Sequence, residues 1–230
     1  MCLGNRGEGV QIATDQHDSR FWGFHVGNLT DWQTGSDSPD EFELVVGRPS
    51  STDLAQVRWC EAHGFQWVNT LVRFGKDTTV QHEVIEDDAA LTAGEIIWAG
   101  SLFTDSRFNR DRRFPQARVK QYFVSWLEAT LQEQDTFAFT LREGNKVNAF
   151  LLARLGETSY MEFLGVHPLY QRQGMARELM YGAESFLRAK GSRRWEVGTQ
   201  ITNRQAIRAY EGAGFRFCEA AHQYHHWRGR

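Results

Sequence analysis

The 230-residue chain predicts an α/β (α+β) fold, and three observations carry that reading. From Glu83 onward, short strand-like runs alternate with helical stripes of apolar residues. Two of those runs are joined by Glu143-Gly144-Asn145, a hairpin signal. Residues 159–187 pass from an apolar strand, through a glycine-bearing basic loop, into an amphipathic helix.

Residues 1–80 read as a small N-terminal α/β subdomain. A loose lead-in, 1–18, precedes an aromatic turn and strand at Ser19–Leu29. Asp31–Pro39, rich in Asp, Ser and Gly, is a loop, and Phe42–Val46 a short strand. Ser51-Thr52-Asp53 offers an N-cap to a helix through Leu54, Val57 and Cys60, which Gly64 closes. Phe65–Phe74 follows as a strand, and Asp77–Gln81 as the junction.

The core domain is expected over 81–230. It opens with a strand at Glu83–Ile85 and a helix through Leu91, Ile96 and Trp98. The polar loop Thr104–Pro115 leads to a helix from Gln116 to about Gln132, with Val119, Phe123, Trp126, Leu127 and Leu131 on one stripe. Strands Thr136–Leu141, Val147–Leu155 and Tyr160–Val166 come next, the last ended by Pro168. After the helix that starts near Met175 come a strand at Arg194–Val197 and a helix from Asn203 to Gly212. Strands at Phe215–Glu219 and Gln223–Trp227 finish the chain.

Composition narrows the function. A formal net charge of -3 gives no global basic field, so no nucleic-acid partner is expected. No apolar run has the eighteen or so residues needed to span a bilayer, and 1–18 carries no signal-peptide core. The three cysteines are odd in number and far apart, which points to reduced thiols and a cytoplasmic location, not to disulfides or zinc. No metal site is expected. Aromatic strands at the C-terminus hint at a homodimer.

The stretch 159–187 has the parts of an anion site. A helix start offers free amides and partial positive charge. Gly174 permits close approach, Ala176 does not obstruct it, and Arg172 and Arg177 add charge. Read singly, Gly174 could equally complete an ordinary strand-to-helix turn. The spacing Gln171-Arg172-Gln173-Gly174-Met175-Ala176, led in by Val166-x-Pro168, resembles motif A of the Gcn5-related N-acetyltransferases. That resemblance implies acetyl-CoA as co-substrate, a mixed central sheet with a splayed strand pair, and cofactor contacts from Leu164, Gly165, Val166 and residues 171–176.

Thr202 to Phe215 resembles motif B of the same family, with Asn203, Ala206, Tyr210 and the Gly214-Phe215 pair in place. Asn203 and Tyr210 lie seven apart, hence on one helical stripe. The resemblance implies that Asn203 meets the pantetheine arm and that Tyr210 acts as general acid at the thioester sulfur. A break of the strand at Gly165 is expected to leave amides facing the acetyl carbonyl. Glu162, by strand parity with Tyr160, Leu164 and Val166, is the carboxylate chosen as base, acting directly or through a water.

For the acceptor, Phe21-Trp22-Gly23-Phe24, the Cys60–Phe74 unit, Phe103–Phe108 and the run from Val197 to Trp227 resemble one branch. These are the TDP-4-amino-4,6-dideoxygalactose (TDP-fucosamine) N-acetyltransferases of cell-surface polysaccharide synthesis. The branch implies a nucleotide-sugar amine, and Trp22, Ser106, Arg107, Phe108 and Asp111 are the candidates to hold it by their own chemistry. Arg107, Arg110, Arg112 and Arg113 would hold phosphate, and Phe108 or Trp22 would stack on the base. Rival acceptors are a protein N-terminus or lysine, a polyamine or an antibiotic, and a further rival is a non-catalytic acetyl-CoA-binding module.

Overall fold

The computed structural model describes residues 10–32, 37–79, 83, 85 and 91–229. In chain order the elements are β1 (Gln11–Thr14), α1 (Gln16–Trp22), β2 (Val26–Asp31), β3 (Leu44–Gly47), α2 (Leu54–Ala62) and β4 (Gln66–Asp77). Then come α3 (Ala93–Gly100), α4 (Arg107–Arg110), α5 (Gln116–Thr130), β5 (Thr136–Glu143), β6 (Lys146–Arg154) and β7 (Thr158–Val166). The chain ends with α6 (Met175–Ala189), β8 (Arg194–Gln200), α7 (Arg204–Gly212) and β9 (Arg216–Trp227).

The chain divides into two compact units, one of residues 1–71 with 219–230 and one of residues 72–218. The boundary expected at 80 and 81 falls outside the described residues. Strands β4 and β9 give residues to both units.

In the first unit, β1 and β2 pair antiparallel, β2 and β3 parallel, and β3 and β9 antiparallel. Its core gathers Ile12, Leu29, Val45, Cys60, Phe65 and Tyr224, with Trp32 and Trp59 packed against it. Asp53 caps α2 as its position ahead of the apolar stripe requires. The expected lead-in instead holds β1 and α1, which Asp15 caps by accepting from the Asp18 amide and Gly23 ends with φ 80°.

The second unit orders its strands β4-β8-β7-β6-β5. The hairpins β5–β6 and β6–β7 are antiparallel, whereas β7 and β8 are parallel, as α6 between them requires. Helices α3 and α5 bury Ile96, Ala99 and Leu127 against Phe150, Leu152 and Phe163. Helix α6 turns Leu179, Met180, Ala183 and Leu187 inward, and its Phe186 packs on Phe137 and Phe139 of β5.

Three expected elements differ. Glu83 and Ile85 lie outside any strand, and Val84 is not among the described residues. Part of the Thr104–Pro115 loop winds into α4 because Ser106 and Asn109 form a capping box. The two C-terminal strands are one, β9, since no glycine or proline interrupts Ala220-Ala221-His222.

Candidate active site

The strand-to-helix loop shapes the first half of the site. Beyond Val166 the chain turns through Pro168–Tyr170, and the Gln171 side-chain amide donates to the Val166 carbonyl at 3.2 Å. Arg172 then takes φ 64° and Gly174 φ 89°. A positive φ is easy for glycine and strained for arginine, so this loop is held in an uncommon shape. Gly174 is the N-cap of α6 and no side chain caps that helix. Its first-turn amides therefore face the loop's concave side with the helix dipole behind them.

A cleft of about 430 Å³ opens there. Val166, Gln171, Arg172, Gly174, Met175 and Ala176 line one wall, and Arg177 and Met180 continue it. The facing wall is α7, which contributes Gln205, Arg208, Ala209 and Gly212 at spacing i, i+3, i+4, i+7. Three arginines and no carboxylate line the cleft. A Cβ built on Gly174 meets nothing within 4 Å, so the cradle is open where a ligand would enter. Uncapped helix amides, a glycine approach and clustered guanidinium groups fit a diphosphate. Leu164, Gly165, Gln173 and Asn203, expected on the cofactor, are not in this wall.

The second half is a fork in the sheet. The β7–β8 ladder runs from Thr158↔Arg194 to Met161↔Val197 and stops, although β7 continues to Val166 and β8 to Gln200. The edge of β7 from Glu162 to Val166 therefore has no β8 ladder. The expected break at Gly165 is not what opens it, because β7 passes through Gly165, paired to Phe150 of β6. Gly165 is glycine for another reason: a Cβ there would collide with the Phe163 ring.

Helix α7 sits beside this fork. Asn203 accepts from the Ala206 amide at 3.2 Å as N-cap and donates to Thr199 Oγ1 at 3.1 Å. Tyr210 lies one stripe away from the cleft-lining positions and turns inward, 6% exposed, with its ring 6.0 Å from that of Phe215 and 6.2 Å from that of Phe74. Its phenol thus does not line the cleft at the mouth of α6. Burial, and then the neighbouring Tyr160 phenol, push its pKa well above the usual range. Tyr160 pairs with Glu196 one rung before the fork opens.

Glu162 occupies a bulge. Leu152 pairs with Phe163 and Ala153 with Met161, so the ladder skips Glu162. A one-residue slip reverses the faces beyond it. Leu164 pairs with Leu151, which pairs with Phe139 under α6. Glu162 instead forms an ion pair at 2.8 Å with Arg154, the cross-strand partner of Tyr160. Glu162 thus keeps parity with Tyr160 but not with Leu164 and Val166, a correction to the uniform alternation expected from sequence. Burial raises its pKa, Arg154 opposes that, and Glu133 adds to it.

The acceptor-side candidates fall in both units. Trp22 belongs to the first, buried with its ring edge-on to Phe21 at 4.9 Å. Ser106, in the second, caps α4 by accepting from the Asn109 amide. Arg107 is buried over the Phe108 ring, and Phe108 packs against Phe114, Tyr122 and Phe123. Asp111 is buried and accepts twice from the Arg113 guanidinium, at 2.7 and 2.9 Å. With Phe108 3% and Trp22 5% exposed, neither presents the ring face that base stacking needs. Arg110 pairs with Asp105 at 2.6 Å and reaches Thr202 Oγ1 at 3.3 Å, and Thr202 also donates to Asp105. This network fastens α4 to the turn before α7. Tyr160, Gln205, Arg208 and Gly198, which sequence reasoning left unassigned, stand at the cleft or the fork. The i, i+3, i+4, i+7 spacing on α7 was the available signal for Gln205 and Arg208.

Among the described residues no group of three or more His, Cys, Asp or Glu side chains is gathered to hold a metal, and no helix is long and apolar enough to cross a membrane.

Residues 102–215 match the model of the acetyltransferase (GNAT) family. The spore coat polysaccharide biosynthesis protein SpsD of Bacillus subtilis (strain 168) is 25% identical over 134 residues, 57% of this chain and 46% of that protein. The match thus spans less than half of that relative's length. A GNAT-family acetyltransferase from Colwellia psychrerythraea superposes over 97% of this chain and 83% of its own, with TM-score 0.57 and 15% identity. A GCN5-related N-acetyltransferase from Sphaerobacter thermophilus covers 80% of this chain and 59% of its own, with TM-score 0.55 and 14% identity. The uncapped α6 start, the forked β7–β8 pair and the family match over both motifs agree: the chain belongs to the Gcn5-related N-acetyltransferase superfamily.

Proposed function

We propose that this acetyl-CoA-dependent N-acetyltransferase acetylates the primary amine of a small acceptor, a TDP-4-amino-4,6-dideoxy sugar, in the cytoplasm. The observation that carries the transfer chemistry is the fork: β7 loses its β8 partner after Met161, beside an arginine-lined helix start. The acceptor assignment draws on the sequence resemblance described above, and on the similarity to SpsD, a spore coat polysaccharide biosynthesis protein.

Bound acetyl-CoA supplies an acetyl group on a thioester whose carbon is open to an amine. The amides of Met175 and Ala176, with Arg172, Arg177 and Arg208, would hold its diphosphate. Charge-assisted bonds of this kind contribute about 1.5–3 kcal/mol each. Glu162 takes a proton from the amine, directly or through a water, and its raised pKa brings it nearer to neutrality as a base. Tyr210 gives its proton to the departing sulfur. Its high pKa keeps the phenol protonated until then, and such acids contribute roughly 10² to 10⁴ in rate. Backbone amides of the unpaired β7 edge stabilise charge on the carbonyl oxygen. Of the arginines named for the acceptor phosphates, Arg110 and Arg113 are held by Asp105 and Asp111 and Arg107 is buried. We assign that contact to the exposed Arg112. Ser106, Arg107, Phe108 and Asp111 then act from behind, as the frame of that wall.

Thiol release from acetyl-CoA, measured with TDP-4-amino sugars, polyamines and peptides, tests the assignment. Turnover is expected with the sugar nucleotides. Turnover with peptides or polyamines and none with sugars would overturn the acceptor and leave the transfer chemistry standing.

A further inference from the structure

Two helices wall the cleft at the start of α6, and their spacing decides whether one diphosphate can be gripped from both sides. Helix α6 lines it with Arg177 and Met180, and α7 with Gln205, Arg208, Ala209 and Gly212. Both helices then run on into a second cavity, of about 820 Å³. Tyr181 and Glu184 carry α6 into it, Glu184 lying one turn beyond Met180, and Gly212 borders cleft and cavity alike. Lys76, near the end of β4, lines that second cavity.

One ammonium group there touches both helices. Lys76 Nζ donates to Glu184 Oε2 of α6 at 2.7 Å and to the carbonyl of Ala213, the C-cap of α7, at 3.0 Å. A cation suits that carbonyl, because a helix C-terminus leaves acceptors open and carries partial negative charge. The other Glu184 oxygen accepts from the Thr79 amide at 2.9 Å and from the Thr79 hydroxyl at 3.1 Å. The Glu184 side chain is 2% exposed and that of Lys76 15%, and Nζ lies 5.6 Å from the centre of the Phe215 ring. A buried ion pair is a poor source of stability, since apolar residues of the same shape often serve as well or better. What the charged pair adds is a fixed distance, set by two short directional bonds on one nitrogen.

We infer that Lys76 is a positioning residue for the coenzyme: with Glu184 it forms a clamp that fixes the spacing of α6 and α7 behind the cleft. The inference rests on the reading of that cleft as the diphosphate site. Lys76 itself need not touch the coenzyme. Arg177 on α6 and Arg208 on α7 must reach one diphosphate from facing walls, and their bonds to it are short and directional. A wall displaced by about 1 Å can cost on the order of 100-fold in such a site. Tyr210 is seated separately, against the rings of Phe74 and Phe215. The clamp therefore acts on the grip of the coenzyme and not on the proton steps.

Lys76→Met keeps the stem and removes the charge. Titration calorimetry with coenzyme A is expected to show binding about tenfold weaker, and the acetyl-CoA KM should rise to match while kcat stays within about threefold. A residue needed only for folding would do the reverse, lowering the active fraction, and so kcat, at unchanged KM. The single variant leaves Glu184 buried without its cation and should lose stability. Lys76→Met/Glu184→Leu removes both charges and should recover the urea midpoint, with the exposed Thr79 amide served by water. Its affinity for coenzyme A should remain about tenfold weak, because an apolar pair packs without setting the distance. Glu184→Gln, which keeps the shape and turns one acceptor into a donor, should weaken binding too and serves if the apolar variants do not fold. Wild-type affinity for coenzyme A in any of these that folds overturns the clamp. Arg208→Ala distinguishes the two failures. If it weakens coenzyme A and the Lys76 and Glu184 variants do not, the clamp alone falls. If Arg208→Ala binds coenzyme A as the wild type does, the reading of the cleft falls and takes the clamp with it.

Discussion

Tyr210 and Glu162 are the residues whose chemistry depends most on their surroundings. Tyr210 is buried against Phe74 and Phe215, and that burial is the first cause of its raised pKa. A phenol in that state is useless as a base and well suited to protonate a leaving thiolate. Tyr210→Phe is therefore expected to lower kcat by roughly 10² to 10⁴ while the KM for acetyl-CoA changes little. Steady-state kinetics on the purified variant check this, and unchanged kcat removes the role. For Glu162 the sign runs the other way. Burial holds its carboxyl above the ordinary 4.5, so the basic form is depleted as pH falls through that raised value. The kcat/KM profile should show an acidic limb above the usual carboxylate range, and Glu162→Gln should lower activity and abolish that limb. A limb that survives in Glu162→Gln belongs to another group.

At the scale of elements, the proposed function gives the loop into α6 the grip on the coenzyme. Gly174 holds φ 89° at an uncapped helix start, a conformation costing other residues about 1–2 kcal/mol. Gly174→Ala should raise the KM for acetyl-CoA about tenfold and leave kcat near wild type, because the cradle grips the coenzyme far from the breaking bond. An unchanged KM would remove this loop from the cofactor site. The shape of this loop was legible in sequence, since a glycine ahead of an amphipathic helix with arginines around it predicts the open, uncapped helix start that Gly174 forms. The fork was less so. Gly165 invites the reading of a broken strand, yet the ladder to β6 runs through it, and the true irregularity is the bulge at Glu162. Period-two reading assumes an unbroken ladder, and only the partner strand decides where a residue is skipped. Phe108 and Asp111 misled differently: a polar, arginine-rich loop looks solvent-facing, but the Ser106–Asn109 box winds it into α4 and turns Phe108 inward. Gln205 and Arg208 were hidden within motif B, whose marked residues drew attention to the neighbouring stripe.

At the scale of the molecule, the two compact units carry one described cysteine each, and these thiols report separately. Cys60, in the first unit, is fully buried beside Phe65 and Tyr224, and burial, followed by the Glu61 charge, pushes its pKa up to about 12. At pH 8 only about one thiol in 10⁴ is then ionised, and even that one is out of reach of a reagent. Cys218, in the second unit, is exposed, with its sulfur 3.1 Å from the Arg194 guanidinium. In a Cys2→Ser protein, which removes the thiol outside the described residues, a disulfide reagent should label one equivalent at once. The second should react only as denaturant opens the first unit, so the labelling of Cys60 measures the stability of that core independently of the acetyl-transfer machinery. Two fast equivalents in native buffer would mean that the first unit does not hold Cys60 in a closed core. The same count bears on the assay of function, because released coenzyme thiol is read by the same chemistry and Cys218 contributes a fixed background that Cys218→Ser should abolish.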